Sequence, residues 1–219
     1  MTTSLSYNPP KIPLRIIHID SSVVVLNKPT GLLTVPGKPI EHSDCLLTRL
    51  RKEVFGALLV HRLDLGTSGV IIFARTASSQ VYLNKQFETR KTQKTYLARV
   101  KGHLTKDEGK IDLPINVDWP KRPIQKVCFK TGRNALTYYK VIERERFNIS
   151  RVKLYPITGR SHQLRLHMKS IGHPILGDPL YADRATCKTS SRLELHALSL
   201  EIAHPKTNNI QVYNAPAPF

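Results

Sequence analysis

His61-Arg62-Leu63-Asp64-Leu65-Gly66-Thr67-Ser68-Gly69-Val70-Ile71-Ile72-Phe73-Ala74 sets a charged, turn-forming segment directly against an uninterrupted apolar run. Residues 70–74 have the length and the all-apolar character of a buried strand. If 61–64 is extended, period two puts Arg62 and Asp64 on one face and His61 and Leu63 on the other. A cation and a carboxylate then look into the same space. Gly66 and Gly69 allow a tight turn and close approach by a ligand backbone. The structural alternative is a surface Arg–Asp pair ahead of a turn, worth little to stability. Juxtaposed charges alone do not decide between the two.

Working outward, 16–19 and 23–27 read as short strands separated by the turn cluster Asp20-Ser21-Ser22. A helix is predicted from Cys45 to Phe55, with Asp44 as N-cap and Leu46, Leu47, Leu50 and Val54 on one side. Beyond the central strand come a helix over 77–90 capped by Thr76, and a strand over 95–101. The stretch 104–134 is rich in Pro, Gly and charge and reads as a long excursion over the surface. Strands over 136–142 and 151–156 and a short helix over 161–170, ended before Gly172, follow. Strands over 193–202 and 210–213 close the chain. Strand and helix do not alternate regularly, which argues against a doubly wound parallel sheet. The expected fold is α+β. It has a central mixed, largely antiparallel sheet, flanked by helices and split by a cleft, in one catalytic domain over 15–219. Residues 1–14, with Pro9, Pro10 and Pro13, form an N-terminal arm.

The bulk charge narrows the partner. Lys and Arg total 34 against 16 Asp and Glu in 219 residues, a net charge of +18, which points to a polyanion and first to nucleic acid. A membrane surface is disfavoured, because no basic amphipathic helix stands out and no apolar run approaches the ~20 residues of a span. The N-terminus lacks the basic start and apolar stretch of a signal peptide. Cys45, Cys128 and Cys187 form no CxxC pair, so they read as reduced thiols of a cytoplasmic protein.

Two further segments carry chemistry. Lys94-Thr95-Tyr96 opens a strand, and its aromatic is either core or a surface for a base. In the run from Leu154 to His167, a strand ends at Pro156 and a helix begins near Ser161, so free N–H groups beside Arg160 make a phosphate site. His61, His162, His167, His173 and His196 raise the question of a metal, but His162 and His167 are five apart and no HExxH spacing occurs. No metal site is expected. Gly66-Thr67-Ser68-Gly69 is one residue short of a nucleophile elbow and precedes a strand where the elbow follows one, so a serine hydrolase is rejected.

Taken together, the segments resemble the RluA family of pseudouridine synthases. His61 to Gly69 matches the family pattern H-R-L-D-x-x-T-S-G in full. Asn27 to Leu32, Thr158 to Arg165, Gly172 to Asp178 with Tyr181, and Leu195-His196-Ala197 match further blocks, from about residue 15 to the end. The resemblance implies the pseudouridine synthase fold, here without the S4 domain that many members carry. It also implies Asp64 as nucleophile, Tyr96 stacked on the target base, and Arg165 paired with Asp64. Arg62 would fill the place of the flipped uridine, with His61 and Arg160 in RNA contact, and Leu195 would line the uracil pocket. Compact length, the Tyr7-Asn-Pro-Pro10 start and the Asp118 to Cys128 segment are most similar to the branch acting on both a tRNA anticodon stem-loop and a 23S ribosomal RNA hairpin.

The implied chemistry suits these groups. Breaking the N1–C1′ bond of uridine needs one carboxylate to form an adduct or to stabilise positive charge at C1′. Extruding the base costs a few kcal/mol, offset by stacking on an aromatic and by a planar guanidinium. No step calls for a cofactor, and nothing demands more than a monomer. The rival readings are an RNA-binding or ribosome-assembly protein without catalysis, and a metal-dependent nuclease.

Overall fold

The computed structural model describes residues 7–37 and 40–219; the first six residues of the expected arm lie outside them. In chain order the elements are β1 (Ile16–Ile19), β2 (Val23–Lys28), α1 (Leu46–Glu53), β3 (Leu58–Leu59), β4 (Ser68–Ala74) and α2 (Ala77–Glu88). Then come β5 (Gln93–Lys101), β6 (Glu108–Asp112), β7 (Ile115–Val117), β8 (Gln125–Val127), β9 (Leu136–Glu145) and β10 (Ile149–Pro156). Helices α3 (Gln163–Ser170) and α4 (Arg184–Lys188) precede β11 (Leu195–Ala203) and β12 (Ile210–Asn214).

β2 and β4 are apolar at nearly every position because both faces of the sheet are covered there. Val24, Leu26, Ile71 and Phe73 pack with Leu46, Leu47 and Leu50 of α1, while Val23, Val25, Val70 and Ile72 pack with Leu83 and Phe87 of α2. Burying each of these leucines is worth roughly 1.5–3 kcal/mol relative to leaving it in water. A second lobe of core joins Ala98 and Val100 of β5, Val152 and Leu154 of β10, and Leu164 and Met168 of α3.

The sheet runs β1-β2-β4-β11-β5-β10-β9-β6, with β3 also on β4 and β12 on β11. Neighbours pair antiparallel except β4 and β11, whose parallel register sets Ser68 opposite His196 and Gly69 opposite Ala197. The mixed, largely antiparallel α+β sheet expected from the sequence is thus present. Residues 7–15 have no regular structure but are docked. The Tyr7 hydroxyl donates to Asp44 O at 2.7 Å and accepts from Leu33 N at 3.1 Å, and Arg49 donates to Pro10 O at 2.8 Å.

Several local expectations are corrected. Cys45, not Asp44, caps α1: its Sγ accepts from Thr48 N at 3.4 Å, and Thr48 Oγ1 accepts from Cys45 N at 3.1 Å. Asp44 is engaged instead by Arg49, which donates to both its oxygens at 2.7 Å. Thr76 does cap α2, but that helix ends at Glu88, and Arg90 takes a left-handed φ of 58°. The stretch 104–134 is more ordered than an excursion: β6 extends the main sheet against β9, and β7 pairs with β8. α3 starts two residues late because His162 adopts φ 54°, while the Gln163 side chain accepts from Thr158 Oγ1 and Arg160 N.

Candidate active site

Asp64 sits on the turn that leads into β4, where Thr67 N donates to its carbonyl at 3.1 Å. The loop after β2 grips this turn on both flanks. Thr34 Oγ1 accepts from Leu63 N at 3.2 Å and donates to Leu63 O at 2.8 Å. Gly31 N donates to Leu65 O at 2.9 Å, and Thr30 Oγ1 to Gly66 O at 2.7 Å. Lys28 is wholly buried, and its Nζ donates to the carbonyls of Pro29, Leu32 and Leu65 at 2.9, 2.6 and 3.2 Å. Burial pushes this ammonium down to about 7, against the opposing pull of the Asp64 charge. Three carbonyl acceptors use all three of its protons, so the cation is a structural pin between the two loops.

The Asp64 carboxylate faces an open cleft of about 100 Å³. Arg62, Lys94, Tyr96, Arg160, Arg165 and Leu195 also line it. Arg165, at 4% exposure on α3, brings NH1 to 3.7 Å from Asp64 Oδ2. That is an ion pair beyond hydrogen-bond reach, because the guanidinium fork is occupied by Asp178. Tyr96 lies on β5 between Leu154 of β10 and Ala197 of β11. Burial, with the Asp64 charge adding, holds its phenol well above the usual range. Burial, with the charge of Arg90 adding, pushes Lys94 down to about 8.

Six of the seven residues singled out in the sequence therefore meet at one cleft. His61 does not. Its ring stacks on Phe87 at 4.6 Å, and its Nε2 accepts from Ile72 N at 3.2 Å, on the α2 side of the sheet. An RNA contact by His61 is corrected to a packing role, with burial pushing the imidazole down to about 3. The period-two reading holds for Arg62 and Asp64 but not for the other pair. Leu63 packs toward α1 and His61 toward α2, since no strand ladder holds 61–64. At the start of α3, Gln163 N is paired with Arg160 O at 3.1 Å, and Arg160 Nε donates to Asn134 O at 3.1 Å.

Sequence reasoning missed Lys28, Lys94, Asp178 and the pair His162–Tyr181, whose Nδ1 and hydroxyl are 2.9 Å apart. A lysine ending a run as apolar as 23–26 was a signal for the first. Asp178 had no local signal beyond its place in the Gly172–Asp178 block. Opposite Asp64, the β4–β11 junction is tied by Ser68 Oγ donating to His196 Nδ1 at 2.8 Å, while His196 Nε2 donates to Ala215 O at 3.1 Å. Gly69 has φ 111°, and a Cβ there would collide with the Ala197 backbone, so only glycine fits this junction. Among the described residues, no cluster of three His, Cys, Asp or Glu could hold a metal ion.

Residues 22–170 match the family described as RNA pseudouridylate synthase. The dual-specificity RNA pseudouridine synthase RluA of Escherichia coli K12 is 50% identical over 215 residues, covering 98% of each chain. The chain belongs to the RluA family of RNA pseudouridine synthases. The protein of the same name from Yersinia pestis is 50% identical over 204 residues, 93% of this chain and 99% of its own. Among solved structures, human RNA pseudouridylate synthase domain containing 1 superposes with a TM-score of 0.81 at 28% identity, covering 94% of this chain and 84% of its own. The pseudouridine synthase fold expected from the motifs is therefore shown. The family match ends within α3, whereas Asp178, Leu195 and His196 lie beyond it, within the span of the full-length relatives.

Proposed function

We propose that this chain isomerises uridine to pseudouridine in folded RNA with Asp64 as nucleophile. Its relatives are named dual-specificity RNA pseudouridine synthases, and in this reading the chain serves two RNA classes, a tRNA anticodon stem-loop and a 23S ribosomal RNA hairpin. The observation that carries the reading is the Asp64–Arg165 pair at 3.7 Å, inside a cleft walled by Tyr96 and Leu195.

The chemistry follows from those positions. With the uridine extruded into the cleft, the uracil ring stacks on Tyr96 and packs on Leu195, while Arg62, exposed at the rim, fills the vacated stack. Asp64 attacks C1′ as the N1–C1′ bond breaks. The uracil anion stays bound, turns, and its C5 displaces Asp64 from C1′, so the C5–C1′ bond forms as the Asp64–C1′ bond breaks and the carboxylate is released. The proton lost from C5 is matched by one gained at N1, so the conversion is redox-neutral and consumes no co-reactant. Arg165 acts as a fixed positive charge beside the carboxylate, because Asp178 holds its fork. Tyr96 is a neutral phenol at pH 7, which suits a stacking surface and not a resting general base.

In this reading the enzyme acts as a monomer. The three cysteines are free, which supports a reducing, cytoplasmic setting. No helix among the described residues is long and apolar enough to cross a membrane. The test is tritium release from 5-tritiated uridine in stem-loop RNA. Asp64→Asn is expected to abolish release while RNA binding persists. Undiminished release from that variant would sink the nucleophile assignment, and release blocked by a chelator would revive the metal reading.

A further inference from the structure

The chain has a single tryptophan, Trp119, and it stands 64% exposed between β7 and β8. The loop that bears it is tightly closed. Asp118 N donates to Ile124 O, Lys121 N to Asp118 O, and Ile124 N to Lys121 O, each at 2.9 Å. The Arg122 guanidinium lies over one side of the indole, its Cζ 3.4 Å from the ring centroid. Lys121 is exposed beside it, and Lys126 is held at 3.3 Å from Asp118 Oδ1. A rigid, solvent-facing aromatic backed by a cation and flanked by lysine has the chemistry of a base-stacking platform. The π-face accepts a base, and the cations answer the adjoining phosphates. An apolar peptide would have no use for the charges.

This loop is also fixed to the catalytic cleft. Gln125 N donates to the Tyr181 hydroxyl at 2.8 Å, and that hydroxyl is hydrogen-bonded to Nδ1 of His162, a residue of the cleft wall, at 2.9 Å. The Tyr181 ring is in turn 5.1 Å from Cζ of Arg165. The isomerisation itself uses none of residues 118–125.

We propose that Trp119 and Arg122 form a second nucleobase-binding point, stacking an unpaired base of the RNA substrate outside the catalytic cleft while Lys121 meets a phosphate. The proposal rests on the reading of the chain as an RNA-modifying enzyme, but its test is separable from that reading. Because Trp119 is the sole indole, its emission reports directly on this platform. The full chain is titrated with an anticodon-type stem-loop RNA, with binding followed in parallel by anisotropy of the dye-labelled RNA. Emission is expected to fall with the same midpoint as the anisotropy. Trp119→Ala is expected to raise KM about tenfold at unchanged kcat, and Trp119→Phe to restore most of the loss. Emission that stays constant at saturating RNA, or a parental KM in Trp119→Ala, overturns the proposal. Should the parent chain form no pseudouridine yet still be quenched, the catalytic reading fails and the base-stacking site stands.

Discussion

Asp178 accepts two parallel hydrogen bonds from Arg165, from Nε to Oδ2 at 2.8 Å and from NH2 to Oδ1 at 2.7 Å, with the carboxylate wholly buried. Its Oδ1 also accepts from Leu180 N at 2.9 Å and Tyr181 N at 3.1 Å. Asp178→Ala strands a buried guanidinium and two amides, so a loss of about 3–5 kcal/mol is expected in urea denaturation. In Asp178→Asn the shape survives and the charge does not. Arg165 is then free to close on Asp64, and single-turnover pseudouridine formation should fall while RNA affinity holds.

Tyr96 separates stacking from proton transfer. Tyr96→Ala removes the ring under the flipped base and should cost about 1–3 kcal/mol of RNA binding. Tyr96→Phe keeps the ring, and its affinity in a filter-binding titration should equal the parent's. A weakened Phe variant would show that the hydroxyl, and not the face, holds the base.

The net charge of +18 makes binding a counterion-release process. Affinity for a stem-loop should drop at least tenfold between about 50 and 200 mM monovalent salt. Arg160→Ala, which removes a cation placed to meet a phosphate, should flatten the log–log slope by about 0.7–0.9. His61→Gln, away from the cleft, should leave the slope unchanged.

Acid should destabilise the fold through its buried imidazoles. Burial pushes His196, at 1% exposure, down to about 4 from the ordinary 6.5. Between those values the unfolded chain binds a proton that the folded chain refuses. Stability is therefore complete above about pH 6.5 and declines as pH falls, by up to about 1.4 kcal/mol per unit. Urea midpoints measured from about pH 7 to 5 should fall in the parent and fall less steeply in His196→Gln.

How much of this was legible depended on whether the cause was local. β2 and β4 could be read because sheet faces covered on both sides leave an unbroken apolar run, and Thr76 because a cap is a one-turn interaction. β6 escaped because Ile111 is the one large apolar residue in Glu108-Gly-Lys-Ile-Asp112, with Glu108, Lys110 and Asp112 exposed. Cys45 escaped because thiol caps are rare and Asp44 is the better cap on propensity, until Arg49 claims it. At the cleft, parity found Arg62 and Asp64, and family motifs brought in Tyr96, Arg165 and Leu195. What neither supplied was the support: Lys28 reaching Leu65 and Asp178 gripping Arg165 are contacts of the folded chain.

β11 is inserted between β4 and β5, and among the described residues no other strand bridges β1-β2-β4 to β5-β10-β9-β6. The two halves of the sheet, with Asp64 at the edge of one and Tyr96 within the other, are thus joined by residues 195–203, late in the chain. While the protein emerges from the ribosome, both halves can gather their own strands, but β4 and β5 wait with open edges. Those edges are the moment of greatest exposure to wrong partners. The cleft, which Leu195 helps to line, is complete only once residues 195–203 lie between β4 and β5, so a chain stalled before residue 195 lacks the strand that joins the two sides of its active site.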